Sequence, residues 1–189
     1  LALKEGLADQ DVEVRDSTLH AISRVLFSLR ERGDKSADTI VLPQLSKVSQ
    51  TGAESEQVAA SAILFQLGDE QQRARLLAAL HSSQPLVRRL ALEFAPADEN
   101  ALTEALTDVD RGVRFTAAKR LLERGSQKGI PALRDAAKLS DVTGLIAYGK
   151  LRSIGENVTI PEGIPQLLTA SDLSVRLQAL DALADMPPE

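Results

Sequence analysis

The 189-residue chain contains no cysteine and no tryptophan. Without cysteine there is no disulfide framework, no thiolate nucleophile and no thiolate metal ligand. That absence fits a reducing compartment, and the cytoplasm is the expected location. Aromatic residues make up 3% of the chain, so the core must be aliphatic. Readings that need aromatic stacking, such as flat cofactors, sugars or bases, lose support. His20 and His81 lie 61 residues apart and give a zinc site or a histidine-based triad little material. A basic excess is missing as well. The net charge is −5, and by segment it is −3 over residues 1–60, 0 over 61–125 and −2 over 126–189. Phosphate neutralisation needs the opposite balance, so nucleic acid is disfavoured as a partner. No apolar run approaches the roughly 20 residues of a membrane span, and no signal-type segment opens the chain. Starting at Leu1 without Met and ending in "DMPPE", the chain reads as a piece of a longer protein. Flanking domains are then candidate partners.

What the chain has is leucine, alanine and self-similarity. Hydrophobic residues are 43% of it, enough for a sizeable core made of strong helix formers. "DVEVRDSTLHAI", "QPLVRRLALEFA", "DRGVRFTAAKRL" and "DLSVRLQALDAL" share a cap, two variable residues, Val-Arg, and a small residue three after the arginine. "SEQVAASAILFQ" and "SDVTGLIAYGKL" are weaker copies. The anchors are Val14, Val58, Val87, Val113, Thr143 and Val175, spaced 44, 29, 26, 30 and 32 residues apart. Three residues before each stand Asp11, Ser55, Gln84, Asp110, Ser140 and Asp172. All but Gln84 can cap a helix N-terminus through an oxygen, and Pro85 follows Gln84 at the first helical position. Four after the anchor stand Thr18, Ala62, Ala91, Ala117, Ala147 and Ala179, small enough for close helix approach. Eight after it, Ile22, Gln66, Ala95, Leu121, Leu151 and Leu183 mostly complete an apolar stripe.

A second helix is expected between anchors. "VLPQLSKV", "GIPALRDAAKL" and "GIPQLLTA" place Pro43, Pro131 and Pro165 in a first turn, while "ARLLAALHS" and "NALTEALTD" fill the role without proline. Gly68, Gly125 and Gly155 are expected to end these second helices. The first unit is stretched by a polar loop at "RERGDKSAD".

This pattern resembles HEAT repeats, particularly the short HEAT-like units of phycobilisome-linker lyases. The resemblance spans the whole chain and implies one all-α domain over residues 1–189, a right-handed α-α superhelix of about six helix-turn-helix units. At about 100° per residue the arginine lies at the rim of the buried stripe, where its stem can pack while its head reaches a turn. Asp11, Asp110 and Asp172, with Asp9 and Asp108, are the expected acceptors. The resemblance implies a ladder joining such aspartates to Arg15, Arg88, Arg114 and Arg176 across adjacent turns.

Other motifs are weaker. "GLIAYGKL" matches Gly-x4-Gly-Lys but ends in Leu151, without the hydroxyl that binds Mg²⁺, and the repeat register puts it inside a helix. "DQDVEVRDSTLH" opens like a calcium loop at Asp9, Asp11 and Glu13, but has Val14 and His20 where Gly and Glu are needed. "NVT" at Asn157 is a glycosylation triplet that matters only on export. No residue is singled out as catalytic, cofactor-binding or metal-ligating, and no cofactor is expected.

The sequence therefore points to a non-enzymatic scaffold or adaptor that binds a protein or peptide along a solenoid face. The alternatives are a bilin lyase or chaperone of the resembling kind, and a regulatory segment of a larger enzyme. The partner face is placed on the outer side of the second helices, using residues two, six and nine after the anchor, opposite the stripe. In the C-terminal half this gives an apolar row of Phe115, Leu122, Leu145 and Leu177, with Lys119 beside it. A contiguous exposed row of that kind marks an interaction site.

Overall fold

The structure, a computed structural model, describes residues 5–184. Those residues form eleven α-helices, two single turns of 3-10 helix and no strand. The chain is all-α, as the 3.6-residue spacing of its apolar positions predicts. It divides into two compact units, Leu1–Pro96 and Ala97–Glu189. The first holds α1 (Val12–Glu31), α2 (Asp38–Thr51), α3 (Glu54–Gln66), α4 (Arg73–Ala79) and α5 (Pro85–Phe94). The second holds α6 (Glu99–Ala105), α7 (Arg111–Glu123), α8 (Ile130–Ala136), α9 (Val142–Ser153), α10 (Ile164–Leu168) and α11 (Leu173–Ala184). All six anchors fall on the odd-numbered helices. The helices between them are shorter, apart from α2.

In the first unit α3 packs against α1, α2, α4 and α5. A helix with neighbours on every side must be apolar all round, and α3 buries Val58, Ala60, Ala62, Ile63 and Leu64 together with Glu56 and Ser61. In the second unit α7 packs on α6, α8 and α9, while α9 packs on α8 and α11. Ala118, Ile130, Leu133, Ala147 and Leu151 form its aliphatic cluster. The small-residue column does what its size predicts: Ala62, Ala91, Ala117, Ala147 and Ala179 are all buried. The anchors Val58, Val87 and Val113 are buried too, but Val14 is 39% exposed.

Three local expectations are corrected. Ser55 and Ser140 are not caps. Ala53 precedes α3 and its N–H donates to Glu56 Oε2 at 3.0 Å, so Glu56 fixes that start. Asp141 caps α9 by accepting from Gly144 N at 3.0 Å. Pro43 is not in a first turn. α2 begins at Asp38, whose carboxylate meets Arg30 at 2.6 Å, and Pro43 stands inside it. A proline there cannot donate to the carbonyl of Thr39, four residues back. Finally, Gly68, Gly125 and Gly155 end α3, α7 and α9, the anchor-bearing helices, and Gly33 ends α1 the same way. Each uses one pattern. Gly125 N donates to Leu122 O at 2.8 Å and Ser126 N to Leu121 O at 2.9 Å, with Gly125 at φ 78°. This 5→2 and 6→1 pair satisfies the last carbonyls of the helix and needs a left-handed residue. Pro131 and Pro165 do stand in the first turns of α8 and α10. Among the described residues, no helix is long and apolar enough to cross a membrane.

Candidate functional site

The arginines at the rim explain themselves through main-chain carbonyls. Arg114 Nη1 donates to Asp108 O at 2.7 Å and to Val109 O at 3.0 Å, six and five residues before it. Arg15 Nη1 does the same with Asp9 O at 2.8 Å and Gln10 O at 2.9 Å. Arg176 Nη1 donates to Ala170 O and to Ser171 O, and Arg88 Nη1 to Ser82 O at 2.7 Å. For the arginines of α5, α7 and α11 these carbonyls belong to the turns that follow α4, α6 and α10. Each guanidinium therefore ties the turn before its helix to the helix itself.

The capping aspartates accept from the first main-chain N–H groups of their own helices. Asp110 Oδ1 accepts from Val113 N at 2.9 Å, Asp11 Oδ1 from Glu13 N at 2.9 Å and Asp172 Oδ1 from Ser174 N at 2.7 Å. The last bond, with the Ser174 side chain next in size, holds the Asp172 carboxyl below the usual aspartate value. One step earlier, Asp9, Ser82 and Asp108 accept from the N–H of Asp11, Gln84 and Asp110. The one carboxylate joined to Arg15 is Glu56, at 2.7 Å from Nε and itself buried. It links α1 to α3.

In α9 the arginine is replaced by Gly144. A Cβ there would meet Leu139 O, five residues back, at 1.9 Å. The same turn is thus held by direct contact with the helix backbone, leaving no room for a side chain.

The five residues of the expected partner face lie on α7, α9 and α11, the anchor-bearing helices, and do not form one exposed row. Leu145 is fully buried. Phe115 and Leu122 are half-buried and pack against the aliphatic cluster of the second unit. Leu177 is 51% exposed. The broad stripe of α7 and α9 reaches further round the helix than the three inward columns suggest. Lys119 is half-buried and borders a groove instead.

That groove is the site which sequence reading missed. It has a volume of about 500 Å³ and is lined by Lys119 and Glu123 of α7, Ile146, Gly149, Lys150 and Ser153 of α9, and Gln178, Asp181 and Ala182 of α11. These are the places three, six, seven and ten residues after the anchors Val113, Thr143 and Val175. One register on three successive helices therefore builds one surface. Ile146, Gly149 and Ala182 supply apolar and small surface, and two lysines face two carboxylates. Lys150 Nζ lies 3.5 Å from Glu123 Oε1. The signal was available in the motif alignment, but only by comparing columns outside the buried stripe.

The declined motifs take ordinary structural roles. "GLIAYGKL" lies wholly within α9. The Asp9 and Asp11 carboxylates accept main-chain N–H groups. His20 and His81 are exposed. Among the described residues no group of three or more His, Asp or Glu side chains could hold a metal ion. Compared with known proteins, the chain matches no family model and no curated sequence.

Proposed function

We propose that the chain is a helical-repeat binding module of the kind HEAT repeats form, an array of about six pairs holding a protein or peptide against the solvent face of its anchor-bearing helices. The observation that carries this reading is the groove on α7, α9 and α11, built from the same register positions on three helices. Repeat arrays create long surfaces in this way, because each unit adds one copy of each column. The groove has the make-up of a peptide site: small and apolar surface for side chains, and balanced charge at the rim for main-chain and ionic contacts. Two lysines against two carboxylates do not suit a polyphosphate backbone.

A displayed library of random peptides, panned against the full chain, tests this. Enriched peptides are expected to lose at least about tenfold in affinity to the Gly149→Gln variant. That change puts a side chain into the groove and raises helix propensity at the same time. No enrichment, or peptides that bind wild type and variant alike, overturns the reading.

A further inference from the structure

The first unit holds a groove of its own, about 550 Å³ in volume, between the last turn of α1, the first half of α2 and the end of α3. That size falls within the roughly 300–1,000 Å³ of ligand sites. Its floor is apolar: Leu42 and Pro43 of α2, with Leu64 and Leu67 from the end of α3. Leu64 belongs to the aliphatic cluster of that unit, and Leu42 and Leu67 pack against it. The core therefore holds the floor in place.

Three polar residues line the groove beside that floor, and each is short of a partner. Arg30 Nη2 lies 2.6 Å from Asp38 Oδ2, but Arg30 Nε is buried and meets no acceptor among the described residues. A buried N–H of a charged group calls for one. Thr39 is exposed, and Pro43 has no N–H to give to its carbonyl. Asp69 carries a charge that only neutral donors meet: Oδ1 accepts from Gln71 N at 3.1 Å and Oδ2 from Gln72 Nε2 at 2.9 Å. Arg30 and Asp38 offset one another, so the charge of Asp69 sets the sign of the groove.

A main chain offers a C=O acceptor and an N–H donor together. The floor suits an aliphatic side chain, and Asp69 favours a cation. Alternate side chains of an extended segment point the same way, so the two side chains belong two places apart. We propose that this groove binds an extended segment of a partner protein in which an aliphatic residue lies two places from a basic one. The segment's C=O accepts from Arg30 Nε and its N–H donates to Thr39 O. Its aliphatic side chain covers the leucines and Pro43, and its cation lies against Asp69. This site is in the other unit from the groove on α7, α9 and α11, and does not rest on the function proposed for that one.

Two capped peptides test it, acetyl-Ala-Leu-Ala-Lys-Ala-amide and acetyl-Ala-Lys-Ala-Leu-Ala-amide. Each is titrated to about 10 mM into the isotope-labelled full chain, since so few contacts give millimolar binding. At least one is expected to shift the amides of Thr39, Leu42, Ser46, Leu67 and Asp69. Glutamate for the peptide's lysine, or alanine for its leucine, should weaken it at least about fivefold. Asp69→Asn should weaken the lysine peptide at least about threefold and leave its alanine-for-lysine form unchanged. Arg30→Lys keeps a cation beside Asp38 but removes Nε, and should weaken both forms about threefold. If Arg30→Lys changes the far-UV spectrum, Asp69→Asn decides. No shift by about 10 mM, glutamate peptides that bind as well as lysine peptides, or variants that bind like wild type overturn the proposal. Shifts confined to α7, α9 and α11 overturn it too, while supporting the function proposed above.

Discussion

Removing the guanidinium of Arg114 tests the clamp directly. The perturbation is Arg114→Ala, which leaves Asp108 O and Val109 O without their 2.7 and 3.0 Å donors. Hydrogen bonds from a charged donor contribute about 1.5–3 kcal/mol when buried. The Arg114 side chain is half-exposed and Val109 is 92% exposed, so water can replace part of the loss, most readily at Val109 O. Adding the lost packing of the stem, the net cost comes to about 2 kcal/mol. For a unit of this size that lowers the melting temperature by about 8–16 °C. Urea unfolding followed by far-UV circular dichroism measures it. The companion variant is Asp110→Asn, which keeps a capping oxygen but removes the charge, and should stay within about 0.5 kcal/mol of wild type. If Arg114→Ala is neutral, the clamp carries no stability. If Asp110→Asn costs as much as Arg114→Ala, the arginine works through that carboxylate and the carbonyl account is wrong.

Gly144→Ala should destabilise by several kcal/mol, because its Cβ would sit 1.9 Å from Leu139 O, a main-chain atom that cannot step aside; a urea midpoint close to wild type would refute the close approach. Leu145→Ala should cost about 2–5 kcal/mol as a large-to-small core change, while Leu177→Ala should stay within about 0.5 kcal/mol; equal effects in thermal melts would contradict their opposite burial. Acid should weaken the chain through Asp172, whose folded pKa is depressed by the Ser174 N–H. A depressed value gives stability that is present above the ordinary aspartate pKa, about 4, and lost as pH falls through the folded value. Asp172→Asn should therefore flatten the acid limb of a stability-against-pH curve, and an unchanged limb would remove that carboxylate from the explanation.

The helices were legible because their inward columns obey one rule in six places. Ala62, Ala91, Ala117, Ala147 and Ala179 can be read as close-packing sites from spacing alone, and all are buried. Helix boundaries were less legible, because they depend on hydrogen bonds that compete locally. Glu56 reaching back to Ala53 N starts α3 where no serine cap predicts it, and the Arg30–Asp38 pair accompanies a start of α2 well before Pro43. The arginine position was readable as a rim position. Its main-chain acceptors were not, since nothing in "DVDRGVR" says that the carbonyls of Asp108 and Val109 turn toward the Arg114 guanidinium. The outer face was misread for a related reason. Leu145 has the same register place as Leu177, yet one is fully buried and the other exposed. Burial at that column depends on which helix lies alongside, and a single strand of sequence does not carry that. The groove needs three helices at once, so no one motif displays it.

Chemical-shift mapping of a panned peptide on the isotope-labelled full chain tests the binding-module account most directly. Amide shifts on saturation should cluster at Lys119 and Glu123, at Gly149, Lys150 and Ser153, and at Gln178 and Asp181, the residues that line one groove from three helices. Shifts confined to other helices, or spread evenly over both units, would contradict it.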